Sequence, residues 1–196
     1  MKKYLLNPFE KYSEKSLLLI GLLGACLGIL FSFLFDVRFD GAIDMHLVNQ
    51  LSLNQATIDL CINTLVISIL LFVAGKIYNS KTRFIDILAT TLVSRIPLYF
   101  VPLLNISNTI GQATEQLLTL IKDPLNMDFS SISSSDLTII TIFAIVGIAA
   151  TIWSIALLYN GYKVASNAKK SRAIVHFVVA LVLSEIITKV IFYQLK

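Results

Sequence analysis

The chain has 196 residues, of which 56% are hydrophobic and 14% charged; its net charge is +4 and its mean hydropathy is +0.79. A soluble domain carries about 25% charged residues, so this composition excludes a water-soluble globule. It favours a membrane protein, because one spanning helix needs roughly 20 mostly apolar residues.

The remaining chemistry excludes several functional classes. The basic residues lie beside apolar stretches rather than along a soluble face, so we expect no nucleic-acid partner. The two cysteines and two histidines form no CxxC or His-cluster pattern; they are Cys26, Cys61, His46 and His176. No HExxH motif, glycine-rich phosphate loop or nucleophile–base arrangement is present, so we expect neither a cofactor nor catalysis.

Five apolar stretches predict five transmembrane helices in a single membrane domain that covers residues 1–196. The predicted spans are 16–35, 56–77, 84–104, 137–159 and 173–192. These stretches must be helical, because the bilayer interior offers backbone groups no other partner and the period-2 alternation of a barrel strand is absent. The predicted fold class is therefore an all-α integral membrane bundle.

The first span has a face of small residues that includes Gly21, Gly24 and Gly28, and such faces allow close helix contact or oligomerisation. The loop that follows carries Ile43, Leu47, Val48 and Leu51 at helical spacing. This spacing predicts either a short amphipathic helix at the membrane surface or a loop that packs on the bundle top.

The second and third spans contain groups that are costly inside a bilayer. Asp59 lies near one end of the second span, and Arg95 lies near the middle of the third. Pro97 and Pro102 follow Arg95, and because proline removes a backbone donor, we expect the third helix to kink or break there. A broken helix beside a buried arginine also occurs at transporter sites.

The rest of the chain contains similar features: amphipathic spacing, a small-residue face and charges within a span. The loop after the third span has Ile110, Leu117, Leu118 and Ile121 on one helical face, which predicts either a second amphipathic helix or a loop that packs on the bundle top. In the fourth span, Gly147 and Thr151 form another small-residue face. The fifth span contains two further charged residues, Glu185 and Lys189.

The depths of these charges suggest partners. Counted from the same end of the bundle at 1.5 Å per residue, Arg95 lies about 16 Å deep and Glu185 about 18 Å deep. Lys189 and Asp59 are level with each other nearer the opposite surface. We therefore expect pairs Arg95–Glu185 and Lys189–Asp59, which either fasten the helices or relay protons or ions. Alternatively, Lys189 snorkels alone.

Lys and Arg alternate between the segments that join the spans. The N-terminal segment, the 78–83 turn with its flanks and the 160–172 segment hold eleven of the 16 basic residues, whereas the other connections and the C-terminus hold three. The positive-inside rule then predicts a cytoplasmic N-terminus and an external C-terminus. The composition is compatible with a bacterial source, so we expect the bacterial cytoplasmic (inner) membrane.

Three segments resemble the Yip1 domain family: the lead-in NPFEKYS at 7–13, the third span from 82 to 104 and the segment from 152 to 183. The resemblance implies a five-helix bundle without known catalysis, whose eukaryotic members contact small membrane-anchored GTPases and one another. This chain lacks their DLYGP-like segment and long N-terminal region. We therefore do not expect a GTPase partner, and the chain is more similar to short prokaryotic members.

Two hypotheses for the function remain open. The first is a non-catalytic scaffold that interacts with the lipid bilayer and with other membrane proteins or copies of itself. The second is a small transporter or an ion- or proton-conducting protein that uses Arg95, Glu185 and Lys189.

Overall fold

The computed structural model describes residues 5–122, 133–168 and 172–194, except for the side chains of residues 120, 121 and 172. Its elements in chain order are a 3₁₀ turn Pro8–Glu10, α1 Glu14–Leu34, β1 Val37–Arg38, β2 His46–Leu47, α2 Leu53–Tyr78, α3 Phe84–Ser94, α4 Ile96–Tyr99, a 3₁₀ segment Val101–Asn108, α5 Thr109–Lys122, α6 Ser134–Ser166 and α7 Arg172–Gln194.

In the described ranges, five helices are long and apolar enough to cross a membrane, which confirms the predicted fold class. They are α1, α2, the broken run Phe84–Thr119, α6 and α7. The main difference from the expected bounds is at α6, which continues from residue 159 to Ser166 and ends where Asn167 adopts a left-handed conformation with φ 50°. Thus α6 is about 50 Å long and exceeds the hydrocarbon thickness of about 30 Å.

Serine residues begin three of these helices. The Ser13 and Ser133 side chains accept hydrogen bonds from backbone N–H groups in the first turns of α1 and α6. Ser52 and Gln55 form a capping box at the start of α2. These contacts satisfy N–H groups that have no partner within the helix, so they define where each span begins.

The third span is broken in the region of its two prolines. α3 ends at Ser94, Arg95 joins it to the four-residue α4, and the chain continues as a 3₁₀ segment from Val101. α3 contacts α1, α2 and α6, so it is the central helix of the bundle. By contrast, α7 packs mainly on α2, and its Phe177 ring also contacts Tyr159 and Tyr162 of α6.

The first loop, residues 36–52, does not form the expected amphipathic helix. Instead β1 and β2 pair antiparallel, with Val37 opposite Leu47 and Arg38 opposite His46. Residues 39–45, here called the tip, connect the two strands. Phe39 and Ala42 in the tip are buried. Of the two alternatives, the amphipathic helix is therefore wrong, and the segment is a packed loop whose tip enters the bundle rather than resting on its top.

The second predicted amphipathic helix is confirmed as α5. Its first turn is positioned by Asn105, whose Oδ1 accepts hydrogen bonds from the backbone N–H groups of Ile110 and Gly111. Asn105 Nδ2 donates to the Phe35 carbonyl oxygen. Because α5 contacts α6 and the preceding 3₁₀ segment, it packs on one end of the bundle.

The two ends of the bundle are named here by their charge. The acidic end carries the first loop and α5, and the basic end carries the N-terminal segment and the turn at 79–83. At the basic end, Arg83 forms ion pairs with Glu14 and Asp86. These contacts, mainly the hydrogen bonds that Arg83 donates to Asp86, raise the pKa of Arg83 above its ordinary value.

Candidate functional site

The tip of the first loop reaches deep into the bundle, where it meets two charged side chains. Arg95 lies about 16 Å from the basic end of α3, and Glu185 lies about 14 Å from the acidic end of α7. Arg95 Nη1 donates to the Ala42 carbonyl oxygen at 2.8 Å. Glu185 Oε2 accepts from the Ile43 backbone N–H at 3.0 Å. The two charges therefore bind the two polar groups of one peptide unit.

The expected ion pair between Arg95 and Glu185 is wrong for this reason. Among the described residues neither side chain takes part in any ion pair. The depth estimate placed them at similar levels, but the Ala42–Ile43 peptide lies between them. A peptide unit can satisfy both charges because its C=O and N–H point in opposite directions.

The expected pair between Lys189 and Asp59 is also wrong. Lys189 binds two aspartates of the tip, Asp40 at 3.3 Å and Asp44. Asp59 is bound by Arg38, whose Nε and Nη2 donate to the two carboxylate oxygens at 2.6 and 3.1 Å. Each charged residue of the spans is therefore bound by a group of the first loop. Lys189 does not snorkel alone, and Asp59 does not pair with a residue of α7.

Other buried polar side chains hold the backbone of the first loop. Asn63 Nδ2 on α2 donates to the Phe39 carbonyl oxygen at 2.6 Å, and Ser32 Oγ on α1 donates to the Val37 carbonyl oxygen at 2.6 Å. Backbone groups inside a bilayer need such partners, since an unsatisfied group costs several kcal/mol. The loop is therefore bound by α1, α2, α7 and the residue between α3 and α4.

The surroundings of Asp40 and Arg38 in the first loop favour the charged forms of both side chains. Burial raises the pKa of Asp40, but the hydrogen bond from His46 and the charges of His46 and Lys189 outweigh this effect and lower the pKa to about 2. His46 Nδ1 lies 3.0 Å from Asp40 Oδ1. The hydrogen bond to Asp59 raises the pKa of Arg38.

Further buried polar side chains lie near Arg95. Tyr99 of α4 lies next to both Arg95 and Thr64 of α2. The Tyr99 hydroxyl is within side-chain hydrogen-bond reach of both residues, and the Arg95 guanidinium carbon lies 6.0 Å from the centre of the Tyr99 ring. Within the described part of the chain, the Ser68 hydroxyl and Asn63 Oδ1, on the same stretch of α2, have no hydrogen-bond partner. Sequence reasoning identified Arg95 but missed its neighbours, because single hydroxyl residues in a span carry little signal.

The two small-residue faces have different surroundings. A Cβ added to Gly21 would lie 2.6 Å from Leu92 Cβ, and one added to Gly24 would lie 2.7 Å from Ile96 Cγ1. A Cβ on Gly28 would lie 2.6 Å from the Tyr99 ring. This face is therefore used inside the bundle. A Cβ on Gly147 would meet only Met45 Cε, at 3.1 Å.

The N-terminal segment contacts α6 at the basic end. The Trp153 indole nitrogen donates to the Leu5 carbonyl oxygen, and Asn160 Nδ2 donates to the Leu6 carbonyl oxygen. Phe9 is buried in a cluster with residues of α1, α3 and α6. The NPFEKYS lead-in thus forms part of the packed domain.

No group of three His, Cys, Asp or Glu residues that could hold a metal ion occurs among the residues with described positions. The expectations that the protein is not an enzyme and has no cofactor stay predictions.

Comparison with known proteins identifies the family. The model of the Yip1 domain matches residues 10–190, which is nearly the whole chain. No curated protein and no solved structure matches it. The matched region includes the first four candidate spans in full and the fifth as far as residue 190. The chain therefore belongs to the Yip1 domain family.

Proposed function

We propose that this multi-pass membrane protein is a non-catalytic scaffold that binds a transmembrane helix of another membrane protein or of a second copy. One observation carries the proposal: the small-residue face of α6 borders a groove that is open to the surrounding lipid. Small residues let two helix backbones approach closely, and this contact drives helix association in bilayers.

The groove lies between α6 and the tip of the first loop and has a volume of about 310 Å³. Its walls are apolar apart from Asp44 and Thr151. The main lining residues are Phe143, Gly147, Ile148 and Ile152 of α6, with Ile43 and Met45 of the tip. Ridges of side chains from one further helix would fill such a groove.

The position of α6 in the bundle supports the same proposal. Only 17% of its most apolar window is buried, against 67% for the third span. Exposed apolar side chains are normal in lipid, so exposure alone does not indicate a partner. The difference between the two glycine faces is more specific, because the face on α1 is already occupied by α3 and α4.

Transport is less well supported by the same geometry. The tip of the first loop lies between α2, α7 and the broken third span, and it binds Arg95, Glu185 and Lys189. A conducting path past these three residues would require the tip to move. Scaffolding requires no such movement.

Cysteine cross-linking in native membranes tests the scaffold proposal. In a background with Cys26→Ser and Cys61→Ser, we expect Ile148→Cys to form a cross-linked species of one discrete mass with a bifunctional maleimide. Val175→Cys on α7 is the matched control, because both positions are 61% exposed. Adding Gly147→Leu should remove the species by filling the groove.

The masses distinguish the partners. Twice the mass of the chain identifies a second copy, and any other discrete mass identifies a different membrane protein. Equal cross-linking at Ile148 and Val175, or none at Ile148, would contradict the proposal.

A further inference from the structure

A polar pocket lies at the basic end of the bundle, between the N-terminal segment and the last turns of α6. Its volume is about 310 Å³, within the range of about 300–1,000 Å³ that is usual for small-molecule sites. Asn7 and Glu10 line one side, and Asn160, Lys163 and Asn167 line the other. Among the described residues, the lining therefore combines a cation and a carboxylate with several amides.

The two charges of this pocket do not neutralise each other. Within the described ranges, neither Glu10 nor Lys163 takes part in an ion pair. The Lys163 ammonium nitrogen lies 5.5 Å from the centre of the Tyr159 ring, a contact that positions the cation without supplying a negative charge. Asn7 Oδ1 is buried and has no hydrogen-bond partner in the same ranges. A molecule with both a negative and a positive group would supply the missing partners.

The pocket lies at the level where the spans end. Asn79 directly follows α2, and its Nδ2 donates to the Ser166 carbonyl oxygen, so the last residue of α6 is level with the end of α2. Asn160 is about 9 Å from Ser166 along α6. Headgroups occupy the outer part of a bilayer, beyond a hydrocarbon core of about 30 Å. The pocket therefore faces the headgroup layer of one leaflet.

Exposed apolar side chains continue from the pocket toward the middle of the bundle. Trp153 lies about 10 Å deeper than Asn160 along α6. The Trp153 indole nitrogen donates to the Leu5 carbonyl oxygen, and Asn160 donates to that of Leu6. The side chains of Leu5, Leu6, Ile152 and Trp153 are exposed. A polar pocket at the surface with an apolar strip beneath it matches a phospholipid, whose acyl chains extend from the headgroup toward the bilayer centre.

The lining of the pocket selects one class of headgroup. An ammonium group donates hydrogen bonds, which the Glu10 carboxylate and Asn7 Oδ1 can accept. A choline group has no N–H and is bound by aromatic faces, whereas no aromatic residue lines the described pocket. A headgroup with only negative charge would leave Glu10 without a cation. Phosphoethanolamine carries a phosphate for Lys163 and an ammonium group for Glu10.

We infer that Asn7, Glu10 and Lys163 form a binding site for the phosphoethanolamine headgroup of a membrane lipid. Lys163 binds the phosphate, and Glu10 and Asn7 accept hydrogen bonds from the ammonium group. The acyl chains lie along the exposed apolar strip that includes Trp153. The bound lipid would hold the NPFEKYS lead-in against α6. The inference does not rest on the proposed scaffold function.

Lipid retention by the purified full chain tests the site. The protein in detergent is incubated with an equimolar mixture of phosphatidylethanolamine, phosphatidylcholine and phosphatidylglycerol that have the same acyl chains. After gel filtration, the lipids bound to each chain are counted by mass spectrometry. We expect phosphatidylethanolamine to be retained at least about fivefold over each of the other two, a difference of about 1 kcal/mol.

Three variants assign the retention to the pocket. Glu10→Gln should remove the preference for phosphatidylethanolamine over phosphatidylcholine, because the ammonium group loses its charged acceptor. Lys163→Gln should lower the retention of every phospholipid at least about threefold, whereas Lys163→Arg should preserve it because the positive charge remains. Lys15→Gln is the matched control and should behave as wild type, since Lys15 is also exposed at the basic end but does not line the pocket.

The outcomes are distinct. An unchanged preference in Glu10→Gln, or unchanged retention in Lys163→Gln, overturns the inference. Equal retention of the three lipids by wild type, or higher retention of phosphatidylglycerol, also overturns it. Soluble phosphoethanolamine distinguishes the two sources of this headgroup. If an equal concentration of the soluble compound displaces the lipid, the pocket is a site for a free small molecule and the lipid assignment is overturned.

Discussion

Arg95 and Glu185 illustrate how charged residues are accommodated in this bundle. Each binds a backbone group of the Ala42–Ile43 peptide rather than the other charge. Burying a charge is tolerated when hydrogen bonds replace the lost water, and a peptide dipole supplies them on both sides. Both residues therefore fasten the first loop to the core.

The ion pairs of Asp40 with His46 and Lys189 predict that the stability of the folded protein depends on pH. Its pKa is about 2 in the folded protein, below the ordinary value of 3.8. A carboxyl group with a lowered pKa adds stability that is fully present above pH 3.8 and is lost as the pH falls toward 2. We expect Asp40→Asn to lower the free energy of unfolding by about 1–2 kcal/mol at pH 7, after allowance for solvent screening.

Denaturation in detergent at a series of pH values measures this effect as the difference between wild type and Asp40→Asn. The difference should shrink toward zero between pH 4 and pH 2. Asp44→Asn is the control, because Asp44 pairs with the same lysine but is largely exposed, and exposed pairs contribute about 0–1 kcal/mol. A constant difference across this range would show that the Asp40 charge does not stabilise the fold.

Among the helices, α1 and α6 carry similar small-residue faces with different roles. The face of α1 includes Gly28, against which the buried Tyr99 ring of α4 packs, whereas Gly147 of α6 has one flexible methionine methyl nearby. The sequence of a helix does not show whether its small-residue face is covered. That depends on whether another part of the bundle, here the broken third span, packs against it.

Alanine substitutions test this difference between the elements. We expect Gly28→Ala to destabilise the monomer by about 1–3 kcal/mol, because the added Cβ overlaps a ring that cannot move freely. Gly147→Ala should be neutral or slightly stabilising, because alanine favours the helix and Met45 can adjust. Thermal unfolding in detergent measures both, and equal destabilisation by the two changes would contradict the packing described.

For the whole molecule, the distribution of basic residues predicts the orientation in the membrane. We propose that the basic end faces the cytoplasm of a bacterial cell and the acidic end faces outward. In the background without native cysteines, Tyr193→Cys at the acidic end should react with a membrane-impermeant maleimide in intact spheroplasts. Tyr12→Cys at the basic end should react only after permeabilisation. Both side chains are exposed, so the reverse labelling pattern would show that the orientation is inverted.

Several features of this protein could be predicted from the sequence because they depend on local composition. The five spans follow from apolar length, since any such segment in lipid must form a helix. Asp59, Arg95, Glu185 and Lys189 stood out as charges in apolar surroundings, and their relative depths followed from the helical rise. The apolar spacing also offered the amphipathic helix α5 as one of two alternatives.

The partners of those charges were decided only by the tertiary structure. The amino-acid sequence by itself determined that lipid surrounds most of this chain and which residues are costly there. It did not determine that Arg38, Asp40, Asp44 and the Ala42–Ile43 peptide would enter the bundle, although the opposite charges of the loop and the spans were visible. The physical reason is that hydrophobic patterning depends on neighbours along one element, whereas charge pairing depends on the path of a loop among four helices.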